Sequence, residues 1–184
     1  IAATGEGIAV GGDNEGTISN EAGATITAGT TGISVGGANW NTVSNAGAIA
    51  AAGGDGIAVE DNNTGNITNG STGEIYATDN GIAVGGNNAS GGGWIANYGT
   101  IGSASAAVGQ AGINVSGVNS GTIINYAGGT IYAEHAGISV GDAADGNNSG
   151  RITNSGQLIV SAHASATDAN GIVIYGGNTG IIDN

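Results

Sequence analysis

Carboxylates and histidines are the side chains of this sequence that could perform catalysis or bind a metal ion. Glu60 and Asp61 are adjacent, but two acids hydrolyse a glycosidic bond only when both project into one cleft, and adjacent strand residues point to opposite faces. Asp13 and Glu15 lie in a glycine-rich turn, where we expect solvated surface acids. The sequence also lacks a nucleophile elbow, a phosphate-binding loop and cysteines. We therefore expect no enzymatic activity and no catalytic residue.

Metal binding is the second chemistry to consider. His135 and His163 lie near two predicted turns, and Glu134 adjoins the first histidine, but surface histidines are the simpler interpretation. The turns at residues 12–16 and 141–146 offer hard oxygen ligands that suit calcium. Aspartate does not recur at one repeat position, however, and the calcium-binding nonapeptide pattern is missing. We expect no cofactor, with a sporadic structural calcium ion as the alternative.

Composition excludes several classes of protein. The 184 residues include 40 glycines, 14 acids and a single Lys or Arg, Arg151, so the formal net charge is −13. Nucleic acids and anionic lipids need basic residues, and we expect neither as a partner. No apolar run is long enough to span a bilayer and no signal-peptide pattern is visible, so we expect no direct membrane insertion.

A tetrad Gly-Ile-x-Val recurs along the whole chain, with Ile in place of Val in the last copy. Its two apolar residues are two positions apart and have one residue between them, which is the alternation of a β-strand. We expect these apolar residues to form inward-facing core columns. They are Ile8, Val10, Ile33, Val35, Ile57, Val59, Ile82, Val84, Ile113, Val115, Ile138, Val140, Ile172 and Ile174.

A second motif, x-Ile-x-Asn, follows each tetrad. Its asparagines would stack about 4.8 Å apart, where each amide can donate to one neighbour and accept from the other. We predict a structural asparagine ladder rather than a sugar- or metal-binding column. Its members are Asn20, Asn45, Asn69, Asn97, Asn125, Asn154 and Asn184.

A third strand-like motif completes each cycle and is centred on residues such as Ile26 and Ile49. Three short strands in a cycle of 24–25 residues, separated by Gly, Asn, Asp, Ser and Thr, are typical of a β-solenoid. We predict an all-β, right-handed parallel β-helix of about seven coils, with residues 1–184 forming a single continuous solenoid. Longer spacings at residues 85–94, 102–111, 141–151 and 159–170 are expected to be corner loops that project from it.

The run Gly-Ile-x-Val followed by Gly-x-Ile-x-Asn-x-Gly-x-Ile-x-Ala resembles the degenerate repeats of bacterial autotransporter passengers and related filamentous surface proteins. Good copies are residues 32–51 and 112–133, and the resemblance extends over the whole chain. It implies a secreted right-handed β-helix at the bacterial cell surface or outside the cell, which acts as an adhesin, a matrix component or a rigid stalk. It carries over no catalytic residue.

The first and last residues of the sequence fall within strand motifs and carry no obvious cap. Ile1, Ile182 and Asn184 are therefore candidate self-association ends, which could pair with another copy of the protein or with more coils of the same chain. The sequence favours an extracellular structural protein that forms a fibre, a surface layer or biofilm matrix. The alternative is the stalk of an adhesin that binds a host surface or a glycan through its corner loops.

Overall fold

A computed structural model describes residues 1–89, 91–142, 146–161 and 169–184. Within these ranges the chain forms 21 short strands, β1 to β21, and no helix. Every third strand belongs to the same parallel sheet, so three consecutive strands make one coil and seven coils follow one another. The predicted all-β solenoid with three strands per coil is confirmed.

Each of the three sheets contains seven strands, one from each coil. The first sheet contains β1 Ala2–Ala3, β4 Thr25–Ala28, β7 Ala48–Ala51, β10 Glu74–Ala77, β13 Thr100–Ile101, β16 Thr130–Ala133 and β19 Gln157–Val160. The second contains β2 Ile8–Val10, β5 Ile33–Val35, β8 Ile57–Val59, β11 Ile82–Val84, β14 Ala111–Val115, β17 Ala136–Val140 and β20 Asn170–Ile174. The third contains β3 Thr17–Asn20, β6 Thr42–Asn45, β9 Asn66–Asn69, β12 Trp94–Asn97, β15 Thr122–Asn125, β18 Arg151–Asn154 and β21 Ile181–Asp183.

Strand pairing brings equivalent residues of successive coils together. Ile33 of β5 pairs with Ile57 of β8, and Ile57 pairs in turn with Ile82 of β11. Because side chains alternate across a strand, this register places every apolar residue above its counterpart. The repeat in the sequence therefore becomes a set of continuous apolar columns.

The core is a stack of isoleucine and valine side chains from all three sheets. In the five middle coils the apolar residues of the tetrads are at most 1% exposed, as Ile33 and Val59 illustrate. In coils 1 and 7, by contrast, Ile8, Val10, Ile172 and Ile174 are only partly buried. Burial of each such side chain stabilises the fold by about 1.5–3 kcal/mol. The difference follows from the arrangement, because an end coil has a neighbour on one side only.

The glycine of each of the first six tetrads allows two coils to pack closely. A Cβ atom on Gly56 would overlap the Cγ2 atom of Ile75 and would lie 2.6 Å from the carbonyl oxygen of Gly81 in the next coil. Gly32 and Gly112 meet equivalent atoms of their own neighbours. These glycines are therefore required by space, since none of them has a positive φ.

The predicted corner loop at residues 102–111 begins inside the first sheet. The chain leaves the sheet after Ile101 at Gly102, which has a φ of 70°, and it returns at Val108. Val108 is fully buried and bridges to Ala133 of β16, so it occupies the position of a strand residue. The excursion therefore comprises residues 103–107. Val108 could not be recognised from the sequence, because these five extra residues separate it from the rest of the third strand motif of its cycle.

Deleting residues 103–107 is expected to leave the coil intact. A Cβ on Gly102 would lie 3.1 Å from the Val108 nitrogen, so these two residues are already neighbours in space. The free energy of unfolding should change by less than about 1 kcal/mol, because no core residue is lost. Thermal unfolding followed by circular dichroism checks this, with deletion of residues 73–77, which removes buried Ile75, as the destabilised control. Loss of cooperative unfolding in the first variant would contradict the assignment.

Candidate functional site

The seven predicted asparagines lie in one column, at or directly after the carboxyl ends of the third-sheet strands. Each Nδ2 atom donates to the Oδ1 atom of the next asparagine, over 2.8–2.9 Å, in six consecutive hydrogen bonds from Asn20 to Asn184. Asn45, Asn69, Asn97 and Asn125 are at most 1% exposed, whereas Asn184 is exposed. We call this column the first ladder.

Each buried amide of the first ladder also holds the adjacent turn. Asn69 Nδ2 lies 3.2 Å from the carbonyl oxygen of Gly73 in its own coil and 3.3 Å from that of Thr100 in the next. A turn that crosses the core boundary must satisfy its polar groups, because an unpaired buried carbonyl costs about 1–3 kcal/mol. Among the described residues, every buried side-chain nitrogen and oxygen has a hydrogen-bond partner.

A second ladder runs parallel to the first and was not anticipated from the sequence. It joins Asn14, Asn39, Asn63, Asn88, Asn119, Asn148 and Asn178 through six hydrogen bonds of 2.7–2.9 Å. Backbone bridges link the same residues between the second and third sheets. A signal was available, because six of the seven follow the last tetrad residue by four positions, as Asn14 follows Val10. The abundance of asparagine in the turns concealed it.

Both ladders have the same polarity. At each of the six steps between coils, the Nδ2 atom of one asparagine donates to the Oδ1 atom in the following coil. Coil 1 therefore leaves the Oδ1 atoms of Asn14 and Asn20 without a ladder donor, although that of Asn14 also accepts from the backbone nitrogen of Gly16, and coil 7 leaves the Nδ2 atoms of Asn178 and Asn184 without a ladder acceptor in the described part of the chain. The two end faces are thus complementary in hydrogen-bonding character.

The candidate self-association residues lie on these end faces. Ile1 is 63% exposed and Ile182 is 42% exposed, although the equivalent residues of the middle coils are fully buried. The amino group of Ile1 donates to the carbonyl oxygen of Thr25 in coil 2, over 2.7 Å. Each end face therefore combines exposed apolar side chains with strand edges.

Two of the predicted corner loops, residues 85–94 and 141–151, contain insertions on opposite sides of the second ladder. Asn88 and Trp94 are six positions apart where other coils have three, so this insertion follows the second ladder. The other insertion precedes the ladder, because Val140 and Asn148 are eight positions apart instead of four. Residues 162–168 of the last predicted loop lie outside the described residues, as does His163.

Some acidic side chains in the turns accept hydrogen bonds from backbone nitrogens of the neighbouring coil. Asp13 is exposed, as expected, but its Oδ1 atom also accepts from the backbone nitrogen of Ala38 over 2.8 Å. Asp55 accepts from both the backbone nitrogen and the Nδ2 atom of Asn80. Burial raises the pKa of the Asp55 carboxyl, while the Asn80 bonds oppose this shift. These acids therefore stabilise turns.

Metal-ligating side chains do not converge in the described part of the chain. There, no group of three or more His, Cys, Asp or Glu residues is close enough to hold an ion. Asp145, one of the turn acids considered for calcium, lies outside the described residues.

Arg151 forms an ion pair with Asp183 of the next coil, and both side chains are about half exposed, at 49% and 47%. Because exposed ion pairs are screened by solvent, we expect Asp183→Asn to lower the free energy of unfolding by less than about 1 kcal/mol. Urea unfolding at low and high salt measures this. A larger loss of unfolding free energy that does not depend on salt would show that the ion pair holds coil 7 in place.

The described residues contain no helix with the length and apolar character needed to cross a membrane. Comparison of the chain with protein-family models, with curated proteins and with solved structures finds no match.

Proposed function

We propose that this protein is a structural rod, secreted to the cell surface or the extracellular space, in which further coils extend the solenoid. Additional coils come either from the same chain or from other copies stacked head to tail. The observation that carries the proposal is the coil-on-coil interface, which recurs six times here with the same strand register and two amide ladders of one polarity.

The polarity supports head-to-tail stacking in particular. Nδ2 donors of Asn178 and Asn184 on one face match Oδ1 acceptors of Asn14 and Asn20 on the other, and parallel strand edges accompany them. Two identical faces would instead oppose donor to donor or acceptor to acceptor. Such a heterologous contact generates an open filament because it does not close on itself.

The composition suits a protein exposed to solvent and proteases. A net charge of −13 favours solubility, and a single Lys or Arg leaves almost no trypsin site. The absence of cysteine and the resemblance to repeats of autotransporter passengers and filamentous bacterial surface proteins support export and a role in a fibre, surface layer or biofilm matrix.

The stacking of copies can be tested by replacing only the outward donors. Asn178→Asp with Asn184→Asp keeps the acceptor oxygen that each residue uses within the chain but removes the amide directed to the next coil. We expect the parent protein to form filaments of single-rod width by electron microscopy and analytical ultracentrifugation, and the double variant to stay monomeric. Asn66→Asp with Gln110→Glu, at two exposed amides outside the ladders, adds the same charge and is the matched control.

Extension by the same chain needs a separate test. Two copies fused through Ser-Gly-Gln, the sequence of the turn at residues 155–157 that joins Asn154 to Leu158, should fold as one rod of twice the length. Small-angle scattering measures the length. Two independently tumbling rods, together with a parent protein that remains monomeric at high concentration, would contradict the proposal.

A second candidate, the stalk of an adhesin, is favoured by the exposed residues 104–106 of the excursion from the first sheet. Because deletion of residues 103–107 should preserve the fold, it separates this function from the structural one. If the loop mediates attachment, the deletion abolishes binding of cells or glycans and leaves filament formation intact. Unchanged attachment would contradict the adhesin function of this loop.

A further inference from the structure

An open groove of about 560 Å³ runs along the outer surface where the third-sheet strands of coils 4 to 7 begin. Trp94 stands at one end, and the floor is formed by glycines of the following coils. The core and the ladders do not depend on this groove, because the other coils form the same core and ladders without a tryptophan at this position. We call it the Trp94 groove.

The groove is produced by an insertion and an aromatic residue that occur together in coil 4. Three extra residues precede Trp94, and Gly91 among them has a φ of 87°. Trp94 is the only aromatic residue at its repeat position, whose other occupants are Thr17, Thr42, Asn66, Thr122, Arg151 and Ile181.

The floor is bare backbone. A Cβ atom on Gly121 would overlap the carbonyl oxygen of Gly93 in the preceding coil, and Gly150 and Gly180 meet Gly121 and Gly150 in the same way. Only glycine fits at these three positions, so they contribute no side chain to the groove floor beside the indole.

Neighbouring aromatic rings fix the position of Trp94. Its ring centroid lies 6.4 Å from that of Tyr126, and Tyr126 stacks on Tyr98 at 4.1 Å with an interplanar angle of 7°. Together these rings belong to the outer surface around Ala96, which is fully buried although it points away from the core. The indole that lines the groove therefore packs against neighbouring aromatic rings and is not a freely rotating side chain.

Polar groups line the rest of the groove and offer both donors and acceptors. The hydroxyls of Thr122, Ser149 and Thr179 belong to it, and Ser149 Oγ lies 3.1 Å from Ser120 Oγ. Arg151, the single Lys or Arg of the protein, also lines the groove, and its charge is compensated by Asp183.

We propose that the Trp94 groove binds a neutral glycan. A sugar ring presents an apolar C–H face that stacks on an aromatic ring, and hydroxyls that need donors and acceptors around its edge. A polyanion is disfavoured by the charge of −13, and a purely apolar ligand would leave the groove hydroxyls desolvated without partners. The proposal is separable from the structural function, since the tested residues Trp94 and Ser149 lie in coils 4 and 6 and not on the end faces.

The chain allows a direct optical test, because Trp40 and Trp94 are its only tryptophans. Trp40 is 58% exposed, lies in coil 2 and does not line the groove, so Trp40→Phe leaves Trp94 as the single reporter. We expect its emission to change saturably with at least one neutral oligosaccharide from a panel of gluco-, manno-, galacto-, xylo- and N-acetylglucosamine oligomers. A dissociation constant at or below about 1 mM is expected for a groove this open.

Variants then locate the binding by calorimetry with the same oligosaccharide. Trp94→Ala and Ser149→Gln, which adds bulk at a groove-lining position in coil 6, should each weaken binding about tenfold or more. Trp40→Ala should change it by less than about twofold. Circular dichroism establishes that each variant is folded.

Several results would overturn the proposal. These are no binding across the neutral panel, binding only of uronic or sialic acid oligomers, or full affinity in both groove variants. A change of Trp94 emission with protein concentration alone would also overturn it, because it would show that a second copy of the chain covers the indole.

Discussion

Asn69→Asp is expected to destabilise the protein by about 3 kcal/mol or more at neutral pH, although the two side chains have nearly the same shape. Asn69 Nδ2 donates to Asn97 Oδ1 and approaches two backbone carbonyls, and the side chain is fully buried. An ionised carboxylate at this position would face three acceptors with no proton to offer them. The ladder would be broken at its centre.

The loss should depend on pH in the direction opposite to ordinary acid unfolding. Burial and the facing oxygens raise the pKa of the new carboxyl in the folded state above its value in the unfolded chain. The protonated carboxyl can donate as the amide did, so stability is retained below the unfolded-state pKa and is lost as the pH rises through the folded-state pKa. Urea unfolding of variant and parent at several pH values between about 3 and 8 measures the difference.

Asn184→Asp, compared with the parent at a protein concentration at which both are monomeric, is the matched control for this experiment. Asn184 is exposed and only accepts within the chain, from Asn154 Nδ2, which a carboxylate can also do. We expect a change of less than about 0.5 kcal/mol at every pH. An equal and pH-independent loss in both variants would show that the amide donors do not contribute as described.

Gly56→Ala is the second large effect, with an expected loss of about 3 kcal/mol from a single methyl group. The added carbon would overlap Ile75 Cγ2 and would crowd the Gly81 carbonyl, to which Ile57 donates in the strand pairing. The coil can accept it only by moving a core isoleucine and a strand hydrogen bond. Chemical denaturation measures the shift in midpoint.

Gly16→Ala supplies the comparison, because an added Cβ at Gly16 meets no atom within 4 Å. That variant should unfold within about 0.5 kcal/mol of the parent. If both substitutions cost the same, the destabilisation would come from backbone freedom in general and not from contact between coils.

Local spacing was sufficient to predict most of this fold. Period-two alternation in the tetrads, such as Ile57 and Val59, indicated strands, and their recurrence indicated stacking. The asparagines of x-Ile-x-Asn stood at a fixed position inside a strand motif, which made the first ladder visible. The second ladder was not, because Asn63 and its equivalents lie between variable turn residues.

The remaining features depend on contacts between coils. Val108 could not be recognised as a core residue because five inserted residues separate it from Ile101, although the sheet joins them again. The Trp94 groove combines residues up to 90 positions apart, from Gly91 to Ile181, whose proximity is set by the coil period. In the sequence, Trp94 was visible only as an exception at a repeat position that is often occupied by threonine.

The in-register stack of coils can be measured directly by electron paramagnetic resonance. The chain has no cysteine, so Ser19→Cys with Thr153→Cys gives two unique spin-label positions on the outer side of the third sheet. Five inter-coil steps separate them, through Ser44, Thr68, Ala96 and Ile124. We predict one narrow distribution near 24 Å, at about 4.8 Å per step, widened only by the label side chains. A broad distribution, or a mean that exceeds this value by more than the two labels can reach, would contradict the stack and with it the proposed rod.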